Sequence, residues 1–229
     1  MSKEISLDDI KKFWPEKAPD INIVQKYISK YEKEKIVIKY GGNVLIDRKV
    51  FDNFIADINV LNKLGLSIIV VHGGGPRIKR ELDKKKIVSK FINGLRVTDK
   101  NIIDTVEKVL IDFNIDIVNS LKKLGSEAAS FHTKNENIIE VEPEREELGF
   151  VGIPKKINTI LIEEALNRNK IPIIAPLGLD KTNQTFNING DTAASAIAKK
   201  LKSRRLILMT NVEGVYDDKK KLISEIKPF

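Results

Sequence analysis

Short runs of β-branched and other apolar residues alternate along the chain with longer stretches in which apolar residues recur every three or four positions. The runs Ile36–Lys39, Ile68–Val71, Ile171–Ala175 and Leu206–Met209 read as strands. Between the first two, Phe51, Phe54, Ile58, Leu61 and Leu64 keep a period of about 3.6 residues, which predicts a helix ended by Gly65. Asp99 opens a longer helical pattern through Ile102, Ile103, Val106, Val109, Leu110, Phe113, Ile117 and Leu121, with Gly125 as its stop. Such alternation predicts βαβ units around a mainly parallel sheet.

From Ser126 to Ile153 the pattern changes to short alternating pieces, such as Asn137–Val141, which read as hairpins at an edge. Residues 1–30 read as an arm, in which Trp14-Pro15 and Ala18-Pro19 interrupt a weakly helical stretch before Ile21–Tyr31. Beyond Pro172 the chain offers strands near Ile173 and Leu206, a helix over Thr192–Lys202 and a hairpin over Tyr216–Ile223 turning at Asp217-Asp218-Lys219-Lys220. A parallel sheet needs helices on both faces, and one helix covers one face. Apolar strand residues from Ile207, Met209 or Ile173 are therefore expected to be exposed.

The chain has 229 residues, 41% hydrophobic and 31% charged, a composition that builds a packed core and excludes overall disorder. There is no cysteine, so disulfides, a thiol nucleophile and a zinc–thiolate site are excluded; two histidines, His72 and His132, are too few for a histidine-rich metal site. Any metal would be a hard one held through oxygen, and no metal-ligating side chains are singled out. The charged opening and the lack of an apolar run near the roughly 18 residues of a span predict a cytoplasmic protein without membrane contact. The net charge of +8 comes mostly from lysines scattered along helix faces, with runs at Lys84–Lys86 and Lys219–Lys221 and no interleaved aromatics. A nucleic-acid partner is not expected.

Candidate chemistry gathers at strand ends. Ile68–Val71 runs into His72-Gly73-Gly74-Gly75-Pro76, with proline suited to the first helical position. Glycines let a backbone approach a ligand closely and turn its N–H groups toward an anion, beside the positive end of a helix. The alternative is a tight strand-to-helix turn. The loop is neither a Walker A sequence nor a Rossmann fingerprint. Gly41-Gly42 follows the first strand, so both loops lie where open α/β sheets bind ligands, and Lys39 projects beside them as a point charge for phosphate. Asn187–Ala194 leads into a helix of small residues with Asp191 near its start, readable also as a simple N-cap. Arg96 precedes a helix and could grip a carboxylate through two parallel hydrogen bonds.

Taken in order, Lys39-Tyr40-Gly41-Gly42, Val71–Pro76, Gly94-Leu95-Arg96-Val97-Thr98, Leu148-Gly149-Phe150-Val151-Gly152, Asn187–Ala194 and Thr210–Val215 resemble the acetylglutamate kinase family. The resemblance implies an amino-acid kinase fold, a three-layer αβα sandwich with a mainly parallel central sheet. It implies transfer of the γ-phosphoryl group of ATP, with Mg2+, to the side-chain carboxylate of N-acetyl-L-glutamate in arginine biosynthesis. By matching position, Lys39 would stabilise the transferring group and Asp191 would orient catalytic lysines. Gly41 and Gly42, with Thr210 and Asn211, would line the nucleotide phosphates. Gly73, Gly74, Arg96 and Asn187 would hold the substrate. Residues 31–171 would form the lobe for the acidic substrate and 172–229 a partial nucleotide-binding lobe. A homo-oligomer is implied, a dimer or, through the N-terminal arm, a hexamer.

The implied acceptor is a carboxylate with a pKa of about 4.3, ionised at neutral pH, so attack on phosphorus needs no general base and no catalytic histidine. Three departures stand out: Asn189-Gly190-Asp191 where the family has alanine in the middle, Ser130–Lys134 in place of a glycine-containing hairpin, and an end at Pro228-Phe229 ahead of a family segment carrying a further lysine. The last predicts an incomplete C-terminal lobe. Two other readings remain open: an amino-acid kinase with a different acidic substrate, and a non-catalytic ligand-binding or regulatory form or fragment.

Overall fold

The computed structural model describes residues 11, 14, 20–31, 34–42, 47–210 and 212–226. Helix α1 (Ile21–Tyr31) precedes strand β1 (Lys35–Tyr40), followed by α2 (Arg48–Lys63), β2 (Ser67–His72) and α3 (Gly75–Lys84). A two-strand ribbon, β3 (Phe91–Ile92) and β4 (Leu95–Arg96), leads into the long α4 (Lys100–Lys123). Then come β5 (Ala128–Phe131), β6 (Ile139–Pro143), β7 (Gly152–Ile157), α5 (Thr159–Asn167), β8 (Ile171–Ile174), β9 (Leu177–Leu179), β10 (Thr185–Asn187), α6 (Gly190–Leu201) and β11 (Arg205–Met209).

The central sheet has the order β11-β1-β2-β8-β5, and every pairing in it is parallel. Alternation along each strand sorts the side chains into two layers. Ile36, Ile38 and Tyr40 of β1, Ile68 and Val70 of β2 and Ile173 of β8 meet Phe54 and Ile58 of α2 and Phe113 and Ile117 of α4. On the other face Val37, Ile69, Val71 and Ile174 meet Ile162 of α5 and Ala193, Ala194 and Ile197 of α6. The molecule is thus the expected three-layer αβα sandwich around a mainly parallel sheet. A second sheet, β10-β9-β6-β7, packs beside the α6 face and supplies Val141 and Ile157 to that core.

The four strands read from the sequence form, and both helix stops are glycines in the left-handed region, Gly65 at φ +78° and Gly125 at φ +85°. Asp99 caps α4 by accepting from the N–H groups of Asn101 and Ile102. Three local expectations are corrected. Pro76 occupies the second rather than the first position of α3, with Gly74 as cap. Helix α6 starts at Gly190, ahead of Thr192. Within Ser126–Ile153, β6 and β7 make the expected antiparallel hairpin, but Ala128–Phe131 is a parallel edge strand of the central sheet, paired with β8.

The exposure expected of the C-terminal strands holds for β11 alone. Leu206, Ile207 and Leu208 are exposed, whereas Ile173 is buried and Met209 packs against the core beneath α2 and α4. The reason is topological: β8 inserts between β2 and β5 and inherits the helices of the earlier segments on its second face. Only β11 stands at the sheet edge beyond β1. The Tyr216–Ile223 hairpin forms, with Tyr216 bridging Leu222 and the Asp217 carboxylate accepting from the N–H groups of Lys219 and Lys221.

Candidate active site

The carboxyl ends of β1 and β2 are adjacent, with Tyr40 level with His72, so the glycine loops that follow them open side by side. The Gly73 N–H donates to the Tyr40 carbonyl at 2.7 Å, fastening one loop to the other strand. Between them lies a cleft of about 220 Å³ lined by Lys39, Gly41, Gly42, Gly73, Gly74, Arg96, Asn187 and Asp191. Eight of the ten residues singled out from the sequence therefore meet in one place. Thr210 follows Met209, the register partner of Tyr40, and so lies at the same end of the sheet, but it does not line the cleft. Asn211 lies outside the described residues.

Lys39 shares the β1 face of Val37, which turns toward α6. Its ammonium lies 3.0 Å from an Asp191 carboxylate oxygen, with the Lys39 side chain 11% exposed and that of Asp191 53%. The simple N-cap reading of Asp191 is excluded, because Asn189 caps α6 by accepting from the N–H groups of Asp191 and Thr192. Asp191 sits in the first turn with its carboxylate free to reach across to β1. Gly190 faces the loop: an added Cβ would stand 3.5 Å from Lys39 Cε and 3.8 Å from Gly73 Cα.

Two helix N-termini converge on the cleft, since Gly74 and Gly75 at the start of α3 and Asn189 and Gly190 at the start of α6 all line it. No side chain caps α3. Two positive dipole ends, the Lys39 ammonium and the Arg96 guanidinium make the cleft attractive to anions.

Arg96 is buried at the end of β4. Its guanidinium donates to the Ser89 hydroxyl and, at 3.2 Å, to the Gly75 carbonyl, and it stacks 4.7 Å from the centre of the Phe91 ring across the ribbon. Burial lowers its pKa from the ordinary value while the Asp83 carboxylate raises it; the group stays a cation. Asn187 donates to Thr98 Oγ1 at 3.3 Å, and that hydroxyl donates to the Arg96 carbonyl at 3.0 Å. Arg96 and Asn187, the two of the four expected substrate residues that carry side chains, are therefore tied together through one threonine.

The Leu148–Gly152 segment stitches the same side. Thr98 N–H donates to the Leu148 carbonyl, Phe150 N–H to the Thr98 carbonyl and Asn187 N–H to the Phe150 carbonyl. Gly149 at φ +67° is required there, because a Cβ would fall 2.6 Å from the Thr98 carbonyl oxygen. Sequence reasoning gave no site role to the apolar wall of the cleft, Phe91, Leu110, Val151, Pro176 and Ile188, although Val151 and Ile188 fall within two of its motifs. Their spacing in the chain carries no signal, since they come from five separate elements or loops. Among the described residues no group of three or more His, Asp or Glu side chains could hold a metal ion.

A parallel sheet whose strand ends carry two glycine loops, a lysine–carboxylate pair and two helix N-termini defines an anion-binding α/β protein. The pattern of the Amino acid kinase family matches residues 34–228. A curated acetylglutamate kinase of Pelagibacter ubique is 54% identical over 212 residues, which span 93% of this chain and 74% of the relative. Acetylglutamate kinases of Clostridioides difficile and Roseobacter denitrificans are 41% and 39% identical, covering 92% and 95% of this chain and 76% of each relative. The solved structure of a Streptococcus mutans protein matches with a TM-score of 0.73 at 33% identity, over 81% of this chain and 76% of that one. N-acetylglutamate synthase of Neisseria gonorrhoeae matches with a TM-score of 0.75 at 21% identity, over 86% of this chain and 46% of that one, a likeness of fold alone. The chain belongs to the amino acid kinase family, in its acetylglutamate kinase branch.

Proposed function

We propose that the protein transfers the γ-phosphoryl group of ATP to the side-chain carboxylate of N-acetyl-L-glutamate, a step of arginine biosynthesis, in the cytoplasm. The observation that carries this reading is the single cleft in which Lys39, both glycine loops, Arg96, Asn187 and Asp191 meet. The names of the relatives at up to 54% identity support it. The acceptor carboxylate is ionised at neutral pH, so the reaction asks the protein to align two anions and to neutralise charge on the equatorial oxygens. Lys39 and the N–H groups of Gly41, Gly42 and Gly74 supply that charge and those donors, Gly73, whose own N–H is taken by the Tyr40 carbonyl, lines the substrate side through its backbone, and Asp191 holds the lysine in place. Arg96 grips the α-carboxylate and Asn187 the acetamido end. Thr210 and Asn211 border the nucleotide phosphates.

The donor set of the cleft offers one carboxylate, Asp191, already engaged by Lys39. Mg2+ therefore fits here as an ion carried by the ATP phosphates, where it would neutralise their charge. Residues 31–171 then act as the lobe for the acidic substrate and 172–229 as a partial nucleotide-binding lobe, and the chain assembles as a homo-oligomer, a dimer or, through residues 1–30, a hexamer. The test is trapping of the acyl phosphate with hydroxylamine after incubation with ATP, Mg2+ and N-acetyl-L-glutamate, L-glutamate or an N-acetylated aminoadipate. Product from the first alone supports the reading. Product from another acid moves the protein to a different substrate, and binding without product makes it a non-catalytic ligand-binding form.

A further inference from the structure

His72 is fully buried at the end of β2, on the α4 side of the sheet, and the carboxylate acceptor proposed above leaves it no acid–base task. Its surroundings fix its hydrogens. Asn114 of α4 is also completely buried; its Nδ2 lies 3.0 Å from the Ile173 carbonyl and 3.2 Å from His72 Nε2, and its Oδ1 lies 2.6 Å from Ser130 Oγ. The Ile173 carbonyl can only accept, so the nitrogen of the Asn114 amide faces it and the Ser130 hydroxyl donates to the amide oxygen. The second Nδ2 hydrogen then points at Nε2, which must accept. On the other side of the ring Nδ1 stands 2.9 Å from the Gly73 carbonyl, another pure acceptor, so Nδ1 carries the proton. The edge of the His72 ring against Phe113, 5.1 Å between centres at 78°, holds the ring plane.

The result is a one-way chain of donors, Ser130 to Asn114 to His72 to the Gly73 carbonyl, with every member satisfied. That carbonyl belongs to the peptide joining Gly73 to Gly74, and a trans peptide directs its N–H opposite to its C=O. With the carbonyl held toward His72, the Gly74 N–H points away from that ring, and both Gly73 and Gly74 line the cleft.

We propose that Asn114 and His72 are positioning residues, a buried relay that fixes the Gly73–Gly74 peptide so that its N–H faces the anion in the cleft. The consequence for turnover rests on the kinase reading above; the orientation of the peptide does not. Glycine on both sides gives this peptide little rotational resistance of its own, so an external hold on its carbonyl matters.

The test separates the two nitrogens of His72. Long-range 1H–15N correlation on the wild-type protein should show Nδ1–H with a bare Nε2; an Nε2–H tautomer would overturn the relay. In His72→Asn the amide nitrogen replaces Nδ1 and keeps the donor to Gly73, whereas in His72→Gln it reaches only the Nε2 position. His72→Gln should lower kcat about tenfold with little change in KM for N-acetyl-L-glutamate, and His72→Asn should recover most of that loss. The Gly74 amide resonance should move in His72→Gln and stay in His72→Asn, a readout that persists even if the wild-type protein phosphorylates nothing. Equal losses in both variants, or a displaced Gly74 resonance in both, would reduce His72 to a packing residue and refute the proposal.

Discussion

The ammonium of Lys39 at the end of β1 lies 3.0 Å from the carboxylate of Asp191 in the first turn of α6, joining strand and helix across the mouth of the cleft. Two local facts create this contact. Strand alternation aims Lys39 at α6, and Asn189 takes the capping task that would otherwise occupy Asp191. In the proposed phosphoryl transfer, a lysine so held would meet the developing phosphoryl charge without searching rotamers at the moment of reaction.

Replacing Lys39 by alanine should therefore act on turnover. We expect kcat to fall by at least about a hundredfold, with KM for N-acetyl-L-glutamate nearly unchanged, because the charge matters most in the transition state. Steady-state kinetics with both substrates varied would check this. Retained kcat with a large rise in KM would make Lys39 a binding residue.

Arg96→Lys should weaken N-acetyl-L-glutamate binding by on the order of 2 kcal/mol while leaving ATP binding close to normal. An ammonium cannot reproduce two parallel donors in one plane, and it also forfeits the stacking on Phe91. Calorimetric titration of each ligand measures the difference. Equal weakening of both would place Arg96 outside the substrate site.

Much of this site was legible in the sequence because each piece announces itself locally. Glycine pairs after β-branched runs mark strand-end loops, and Lys39 and Asp191 sit at the junctions of such runs with loops or helices. What stayed hidden depends on contacts between distant segments. Ala128–Phe131 shows no edge-hairpin difference from its neighbours; only its pairing with β8 makes it part of the central sheet. Ile173 looked uncovered because helices α2 and α4, which bury it, lie far upstream in the chain. Likewise Asn114 is one polar residue in a long apolar stripe, and only the fold brings it to His72.

Burial and a nearby Arg77 and His132 oppose protonation of His72, whose pKa falls to about 4 despite the stabilising bond to the Gly73 carbonyl. Above about pH 6.5 both folded and unfolded chains hold a neutral imidazole, and the group adds no pH dependence. Between about 6.5 and 4 the unfolded chain binds a proton that the native state refuses, so stability drops as pH falls, by on the order of 3 kcal/mol across the window. His132 is shifted the same way and adds to the slope. Urea unfolding at pH 7, 6 and 5 should show the decline, and His72→Asn should flatten it. An unchanged slope in the variant would assign the decline to other groups.

Glu107 is a buried carboxylate that accepts from Thr133 Oγ1 at 2.6 Å and Thr185 Oγ1 at 2.8 Å, stapling α4 to the turn after β5 and to β10. Burial pushes its pKa up, but the two hydroxyls and Lys134 outweigh it and hold the group below its usual value. Glu107→Ala strands two hydroxyls and should cost about 2 kcal/mol, lowering Tm by about 4–8 °C in a chain of this size. Glu107→Gln keeps an acceptor and should lose less. Differential scanning calorimetry of both variants decides, and equal losses would show that charge rather than acceptor capacity matters.

Gly41 offers the sharpest separation of site from scaffold. A Cβ at this position would fall 2.4 Å from both Cε and Nζ of Lys39 and 3.3 Å from its Cδ, and all three nearest atoms belong to that one flexible side chain. The backbone and the core need not move; the lysine must. Gly41→Ala should therefore leave the thermal midpoint within about 2 °C of wild type, the shift expected for well under 1 kcal/mol. It should nevertheless reduce kcat by about tenfold or more, because Lys39 would be driven off Asp191 and away from the place where phosphoryl charge develops. Gly149→Ala is the contrasting case. Its Cβ would strike the Thr98 backbone at a residue with φ +67°, so stability should fall along with activity. Thermal melts and steady-state kinetics on the two variants distinguish these outcomes. A Gly41→Ala protein with full turnover would mean that Lys39 performs its task from more than one position, and that the pair with Asp191 is not what holds it.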